Sequence, residues 1–240
     1  MPTLPSTMDL SLLNGFRLCR NMDPIRLPLS AQRLIAFVAL RDRPLSRLEV
    51  AGSLWPEVSE RRSNGSLRST LWRLRQKAGN LVRATAAGLK LDTAVTVDFR
   101  QASAVIRTVL VGPPNRQVTL SPYLLEPGDL LAGWYDDWVL LERERFRQLR
   151  LRALELTCQQ LAESGRVGEA IFAGSTAVAT EPLRETARRV LIQAYLAEGN
   201  YAEALGQYRA YRQMLRVELG LEPSPHIKAL IAGLPSSPAA

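Results

Sequence analysis

The chain has a single histidine, His226, and only two cysteines, Cys19 and Cys158, far apart in sequence. Histidine is the commonest general base and the commonest metal ligand, so one copy narrows the chemistry sharply. A histidine zinc triad cannot be assembled, and a Ser-His-Asp arrangement would have to use His226 itself. That residue follows Pro223-Ser224-Pro225 near the end of the chain and reads as a surface histidine at the start of a last helix. Two distant cysteines make neither a disulfide framework nor a cysteine zinc site. Asp136 and Asp137 are adjacent carboxylates, but neighbours on a helix point in different directions, so they read as a helix start rather than an acid/base pair. Neither Gly-x-x-x-x-Gly-Lys-Ser/Thr nor Gly-x-Gly-x-x-Gly occurs. The expectation is a protein that is not an enzyme and that has no catalytic residue, metal site or cofactor.

Charge is the informative feature. The net charge is +8, and all of it falls in residues 1–97, where 13 Arg and 2 Lys face 4 Asp and 3 Glu; residues 98–240 balance. Residues 61–90 hold eight basic residues, Arg61, Arg62, Arg68, Arg73, Arg75, Lys77, Arg83 and Lys90, and no acid. A bias toward arginine would raise it throughout the chain, yet the second part matches its arginines with acids. The asymmetry fits a polyanion-binding module joined to a neutral one.

The elements that position these charges follow from periodicity. At 240 residues, 46% hydrophobic and 22% charged, the chain is globular in composition and long enough for one large or two modest domains. Its longest apolar run, Leu34 to Leu40, is far short of the ~20 residues of a membrane-spanning helix. Residues 1–7 carry no positive charge, so a cytoplasmic location is expected rather than secretion. Two strands around Asn14-Gly15 are predicted, with a third at Ile25 to Leu27 after a turn at Asn21 to Pro24. Ser30 is the predicted cap of an apolar helix with Leu34, Ile35, Phe37, Val38 and Leu40 inward, broken by Pro44. Ser46 and Glu49 form a capping-box pair opening a short helix that ends at Leu54-Trp55-Pro56.

A third helix is predicted from about Ser63 to Ala78, stopping at Gly79. Leu67, Leu71, Leu74 and Ala78 form its core stripe; Gly65, Ser69, Trp72, Arg73 and Gln76 lie opposite, with Arg68, Thr70 and Arg75 flanking. An acid-free helix with small polar and Arg residues on its outer face suits a DNA major groove, where arginine reads guanine bidentately and basic groups hold phosphates. Leu81 to Arg83 and Leu89 to Leu91 then read as a hairpin with a basic edge. Strands, three helices and a hairpin are the order of a winged helix-turn-helix.

Leu27-Pro-Leu-Ser-Ala-Gln-Arg-Leu34, Leu54-Trp55-Pro56 and Leu67-(x)3-Leu71-Trp72-Arg73-Leu74-Arg75 resemble the response-regulator type of winged helix, in the form found in the actinobacterial antibiotic-regulatory (SARP-like) activators. The resemblance implies a third helix in the major groove, a wing at the adjacent minor groove, and a polymerase contact by the loop before that helix. On this basis the DNA-binding set is Arg62, Arg68, Ser69, Thr70, Trp72, Arg73, Arg75, Gln76, Lys77, Arg83 and Lys90, with Pro56, Glu57, Val58 and Arg61 the polymerase-contact loop. Thr70 and Trp72 are expected to be exposed. Trp72 either reads thymine methyls or packs on the neighbouring helix. The wing reads Ala86-Ala87-Gly88-Leu89 in place of the family's Gly-x-Gly-Tyr, a departure that bears on minor-groove contact.

The neutral remainder opens with a helix start at Asp98-Phe-Arg-Gln101 and passes through prolines at 113, 114, 122 and 127 into a helical pattern with Phe146, Leu149, Ala153 and Leu156 spaced three and four apart. Gly165, Glu169 and Ala170 recur as Gly199, Glu203 and Ala204, each 34 residues on, the tetratricopeptide period. Small residues at Ala170, Ala177 and Ala204 permit close helix pairs, and Tyr195, Tyr208 and Tyr211 read as packing between helices. Gly128-Asp-Leu-Leu-Ala-Gly-Trp134-Tyr-Asp-Asp-Trp138, Glu181-Pro-Leu-Arg-Glu185 and Glu218-Leu-Gly-Leu-Glu-Pro-Ser-Pro225 resemble the bacterial transcriptional activation domain that follows the winged helix in the same activators.

The expected fold is therefore mainly α with a small β component: a winged helix-turn-helix over 8–97 and an all-α tetratricopeptide-like domain over 98–234, with tails at 1–7 and 235–240. The expected function is a sequence-specific activator with promoter DNA, RNA polymerase holoenzyme and a second copy on direct repeats as partners. The alternatives are a repeat-type interaction scaffold with an accessory basic module, or a repressor on the same fold.

Overall fold

The computed structural model describes residues 7–113, 119–126 and 128–234. Pro114, Pro127 and most of both predicted tails lie outside the described residues. Two compact units are present, one of residues 1–103 with 127–146 and the other of 104–126 with 147–240. The chain is mainly α with a small β component, a winged helix-turn-helix followed by helical repeats.

The first unit begins with β1 (Met8–Ser11), β2 (Arg17–Arg20) and β3 (Asp23–Pro24), joined by β6 (Val95–Val97) into a sheet of order β3-β2-β1-β6. β6 runs parallel to β1, with Met8 opposite Val95, and was not legible in the sequence. The hairpin at Asn14-Gly15 forms, but Ser11 pairs with Arg17, leaving a five-residue loop instead of a two-residue turn. Other partners recruit the intervening backbone. Asp98 accepts the N–H groups of Leu12 (2.8 Å) and Leu13 (3.2 Å), while Leu12 O takes Leu131 N and Asn14 N reaches Asp129 O. The third strand falls on Asp23–Pro24 rather than Ile25 to Leu27, because Asn21 and Met22, with φ of 48° and 75°, already complete the turn.

Helix α1 (Leu29–Ala39) buries every residue from Leu34 to Ala39; its N-cap is Pro28 and Ser30 lies inside the first turn, so the predicted serine cap is absent. Helix α2 (Arg47–Leu54) is capped as its sequence predicts, Ser46 Oγ accepting from Glu49 N at 3.0 Å. The Glu49 carboxylate instead pairs with Arg43, which holds it below the usual carboxylate range. Helix α3 (Glu60–Ala78) starts three residues earlier than predicted. The wing is β4 (Val82–Thr85) and β5 (Gly88–Leu91), with Thr85 opposite Gly88 and a two-residue turn at Ala86-Ala87.

Asp98 opens α4 (Asp98–Val111) and ties the sheet to it, since Phe99 N donates to the same carboxylate at 2.6 Å. Burial raises its pKa despite three N–H donors and the nearby Arg17. Asp98→Ala would orphan the Leu12 and Leu13 amides together with a helix-start donor, an expected loss of about 2–3 kcal/mol read as a denaturation midpoint. Residues 128–146 pack on this unit: Phe37 meets Trp138 edge-on at 5.2 Å, Arg33 pairs with Asp136, and Arg143 donates to the carbonyls of Leu130, Leu131 and Trp134.

In the second unit α5 (Pro122–Leu125) is followed by α6 (Asp137–Glu163), whose C-terminal part belongs here. Phe146, still in the first unit, and Ala153 are buried, but Leu149, expected inward, is exposed; the inward positions shift to Leu151, Leu154, Cys158 and Leu161. α7 (Val167–Thr180) and α8 (Glu185–Glu198) form one repeat, and α9 (Tyr201–Leu219) and α10 (Pro225–Ala232) the next. Val167 and Tyr201 start their helices 34 residues apart, each after a glycine, Gly165 and Gly199, with φ near 80°. Ala170, Ala177 and Ala204 are fully buried, and Tyr211 is enclosed by Ile192, Leu215 and Ile227 with Tyr195 and Tyr208 packed around it. A Cβ at Gly174 would lie 3.0 Å from Cys158 Sγ and 3.2 Å from Leu191 Cα, so the α7 crossing is closer than the alanines alone imply. Burial pushes the Cys158 thiol up to about 12, which makes it a packing group rather than a nucleophile.

Candidate nucleic-acid interface

Helix α3 is held by its inner face, where Ser63, Leu67, Thr70, Leu74 and Ala78 are buried at spacings of four, three, four and four. Thr70, expected on the exposed side, is therefore a core residue with 3% exposure, and its hydroxyl does not face the groove. Leu71, expected in the core stripe, is half-buried. The stripe is rotated by about one position from the purely apolar one, because packing geometry against α1 and α2 selects residues by angle and not by hydrophobicity.

The outer face is as read. Ser69, Trp72, Arg73 and Gln76 are exposed, as are Arg62, Arg68, Arg75 and Lys77. Trp72 is 64% exposed, so it is not packed into the neighbouring helix. Among the described residues no carboxylate pairs with Arg61, Arg62, Arg68, Arg73, Arg75, Lys77 or Lys90. Arg61 and Arg62 occupy the first turn, where cations oppose the helix dipole; Arg75 and Lys77 sit in the last turn, where they complement it.

Between the C-terminal half of α3 and the wing runs a groove of about 740 Å³, walled by Leu71, Trp72 and Arg75 on one side and by Val82, Arg83 and Ala84 on the other. Arg47, the first residue of α2, also lines it. Its sequence position, outside the 61–90 run, gave no sign of this; only the fold of α2 against α3 brings it there. Arg83 and Lys90 are directly opposed in the wing, a like-charge cross-strand pair, and Asp92 relieves it by bonding Arg83 at 2.7 Å. Lys90 is thus the wing cation without a partner, and the Ala86-Ala87 tip carries no charge. The loop between α2 and α3 exposes Pro56, Glu57 and Val58; Arg61, assigned to that loop, is in α3.

Comparison with known proteins bears on the two units together. Residues 127–234 match the bacterial transcriptional activator domain. That match is to a domain found in bacterial transcriptional activators. It is similar to the regulatory protein AfsR of Streptomyces coelicolor, 29% identical over 208 residues that cover 82% of this chain and 21% of that protein. AfsR of Streptomyces griseus is 26% identical over 242 residues, covering 95% and 25%. The chain therefore spans about a fifth to a quarter of the length of these relatives. The fold is that of Mycobacterium tuberculosis EmbR, solved in complex with a low-affinity phosphopeptide: TM-score 0.72 at 21% identity, over 94% of this chain and 64% of that one. The matched domain follows the winged helix, and its matched region begins within the first compact unit.

His226 is exposed at the start of α10 and Asp137 opens α6, as their sequence contexts indicate; Asp136 pairs with Arg33, a contact the sequence did not announce. Among the described residues no helix is long and apolar enough to cross a membrane, and no cluster of His, Cys, Asp and Glu could hold a metal ion.

Proposed function

We propose that this chain is a cytoplasmic, sequence-specific DNA-binding transcriptional activator that lays the outer face of α3 in the major groove. The observation that carries the reading is the set of seven cations on α3 and the wing without carboxylate partners among the described residues, with Ser69, Trp72 and Gln76 exposed beside them. Arg73, at the centre of that face, reads a guanine edge bidentately. Arg62, Arg68, Arg75, Lys77, Arg83 and Lys90 hold phosphates, and Arg47 extends that set from α2. Pro56, Glu57 and Val58, with Arg61 beside them, form the surface offered to RNA polymerase. Two copies bind direct repeats side by side, as the family resemblance implies.

Selection of bound sequences from a random duplex pool by the full chain tests this reading. The expected result is an enriched direct repeat spaced by about one helical turn. With about six phosphates engaged, log–log salt dependence of binding to the winning duplex should have a slope of roughly −5. Salt-sensitive binding without enrichment would leave the basic face as a non-specific patch and overturn the activator reading.

A further inference from the structure

A second concave site lies wholly within the repeat unit, away from the basic face of α3. It is a groove of about 460 Å³ lined by residues of α6 and α8, with Leu110 of α4 also bordering it. That volume lies within the usual range for small-molecule sites. Leu149, Leu156 and Val190 supply apolar walls, and Leu149 is the residue that periodicity placed in the core and the fold left exposed. Two arginines flank these walls, Arg152 on α6 and Arg189 on α8. Neither has a carboxylate partner among the described residues, in a unit where five other arginines do: Arg147 pairs with Glu181, Arg166 with Glu169, Arg184 with Glu155, and Arg212 and Arg216 with Glu222.

The one acid in the groove does not serve them. Glu155 Oε1 accepts from Arg184 Nε at 2.6 Å and from the Thr186 hydroxyl, and Oε2 accepts from Arg184 Nη2 at 3.3 Å, so its charge is already compensated. Arg189 Nε is buried and has no hydrogen-bond acceptor among the described residues. A buried N–H of a guanidinium left without an acceptor is costly, and a planar fork is the group best matched to a carboxylate or similar oxyanion. An apolar trough beside two uncompensated arginines is complementary to one ligand class.

We propose that this groove binds a small amphipathic anion, its oxyanion held between Arg152 and Arg189 and its apolar body against Leu149, Leu156 and Val190. The site is independent of the DNA-binding reading, since it shares no residue with α3 or the wing.

The test uses the full chain with 8-anilinonaphthalene-1-sulfonate as a fluorescent probe, displaced by octanoate or by octanol. Octanoate is expected to displace the probe at a concentration about tenfold or more below octanol, because one charge-assisted contact is worth that factor. The Arg152→Met/Arg189→Met variant keeps the apolar stems and should bind octanoate about tenfold or more weakly. Arg75→Ala, in the other groove, should leave octanoate binding unchanged. Equal displacement by octanol, unaltered octanoate affinity in the double variant, or loss of it in Arg75→Ala would each overturn the proposal. Should the double variant lose its helical circular dichroism, Arg152→Met alone, at an exposed position of α6, decides: unchanged octanoate affinity overturns the site and a loss of about threefold or more sustains it.

Discussion

Arg73→Ala is expected to weaken binding to the selected duplex by about 10–100-fold while leaving binding to unrelated duplex nearly as it was. The side chain is exposed at the middle of α3's outer face and carries no intramolecular ion pair among the described residues, so its removal leaves no orphaned partner in the fold. A bidentate arginine–guanine contact supplies roughly 1–3 kcal/mol of discrimination, which is that range of affinity. Lys77→Ala is the contrasting variant: loss of one phosphate contact should weaken all duplexes alike and make the salt slope shallower by about one. Trp72→Ala separates the two kinds of contact at the neighbouring position. With Trp72 64% exposed, the variant should fold normally and relax selection at a thymine, since a ring edge against the C5-methyl group is lost. Fluorescence-anisotropy titrations with the selected duplex and its single-position variants read all three. An Arg73→Ala protein that kept both affinity and selectivity would show that α3 does not read bases.

How much of this was visible beforehand depended on whether local sequence or long-range packing set each feature. The 34-residue period placed the repeat helices, because Gly165 and Gly199 end helices by their own backbone preference and Ala170 and Ala204 recur at the crossing. The acid-free face of α3 was legible for the same reason: charge and helical angle are both local. What failed was decided across the fold. Thr70 is buried and Leu71 half-exposed because the helix turns toward α1 and α2 as a rigid cylinder. β6 pairs with β1 across 86 residues, and no periodicity in Val95–Val97 announces a parallel partner. The packing of residues 128–146 against the first unit is equally silent in sequence, since Trp134, Trp138 and Arg143 look like the start of an ordinary amphipathic helix. Arg47 joins the basic groove only through the packing of α2 on α3.

Gly88→Val should destabilise the winged helix strongly, costing about 3–5 kcal/mol from backbone strain and overpacking together. Gly88 has φ of 129°, a conformation that a β-branched residue adopts only under strain. Its α-carbon also crosses the chain at Leu45 so closely that an added Cβ would stand 2.3 Å from the Leu45 carbonyl oxygen and 2.7 Å from its carbon. Backbone cannot rotate away as the end of a side chain can. The crossing exists because Leu45 and Leu89 exchange two backbone hydrogen bonds, Leu45 N to Leu89 O at 2.9 Å and Leu89 N to Leu45 O at 2.7 Å, which anchor the wing to the segment ahead of α2. To accept a side chain at 88 the wing must lift from that anchor, giving up both bonds and exposing Leu89, now fully buried. Lys90, Arg83 and the wing wall of the α3 groove would move with it. The variant should therefore unfold at a lower denaturant midpoint and, where still folded, lose the phosphate contacts of the wing, with a salt slope shallower by about one to two. A Gly88→Val protein of unchanged stability would mean that the Leu45–Leu89 crossing is not what fixes the wing.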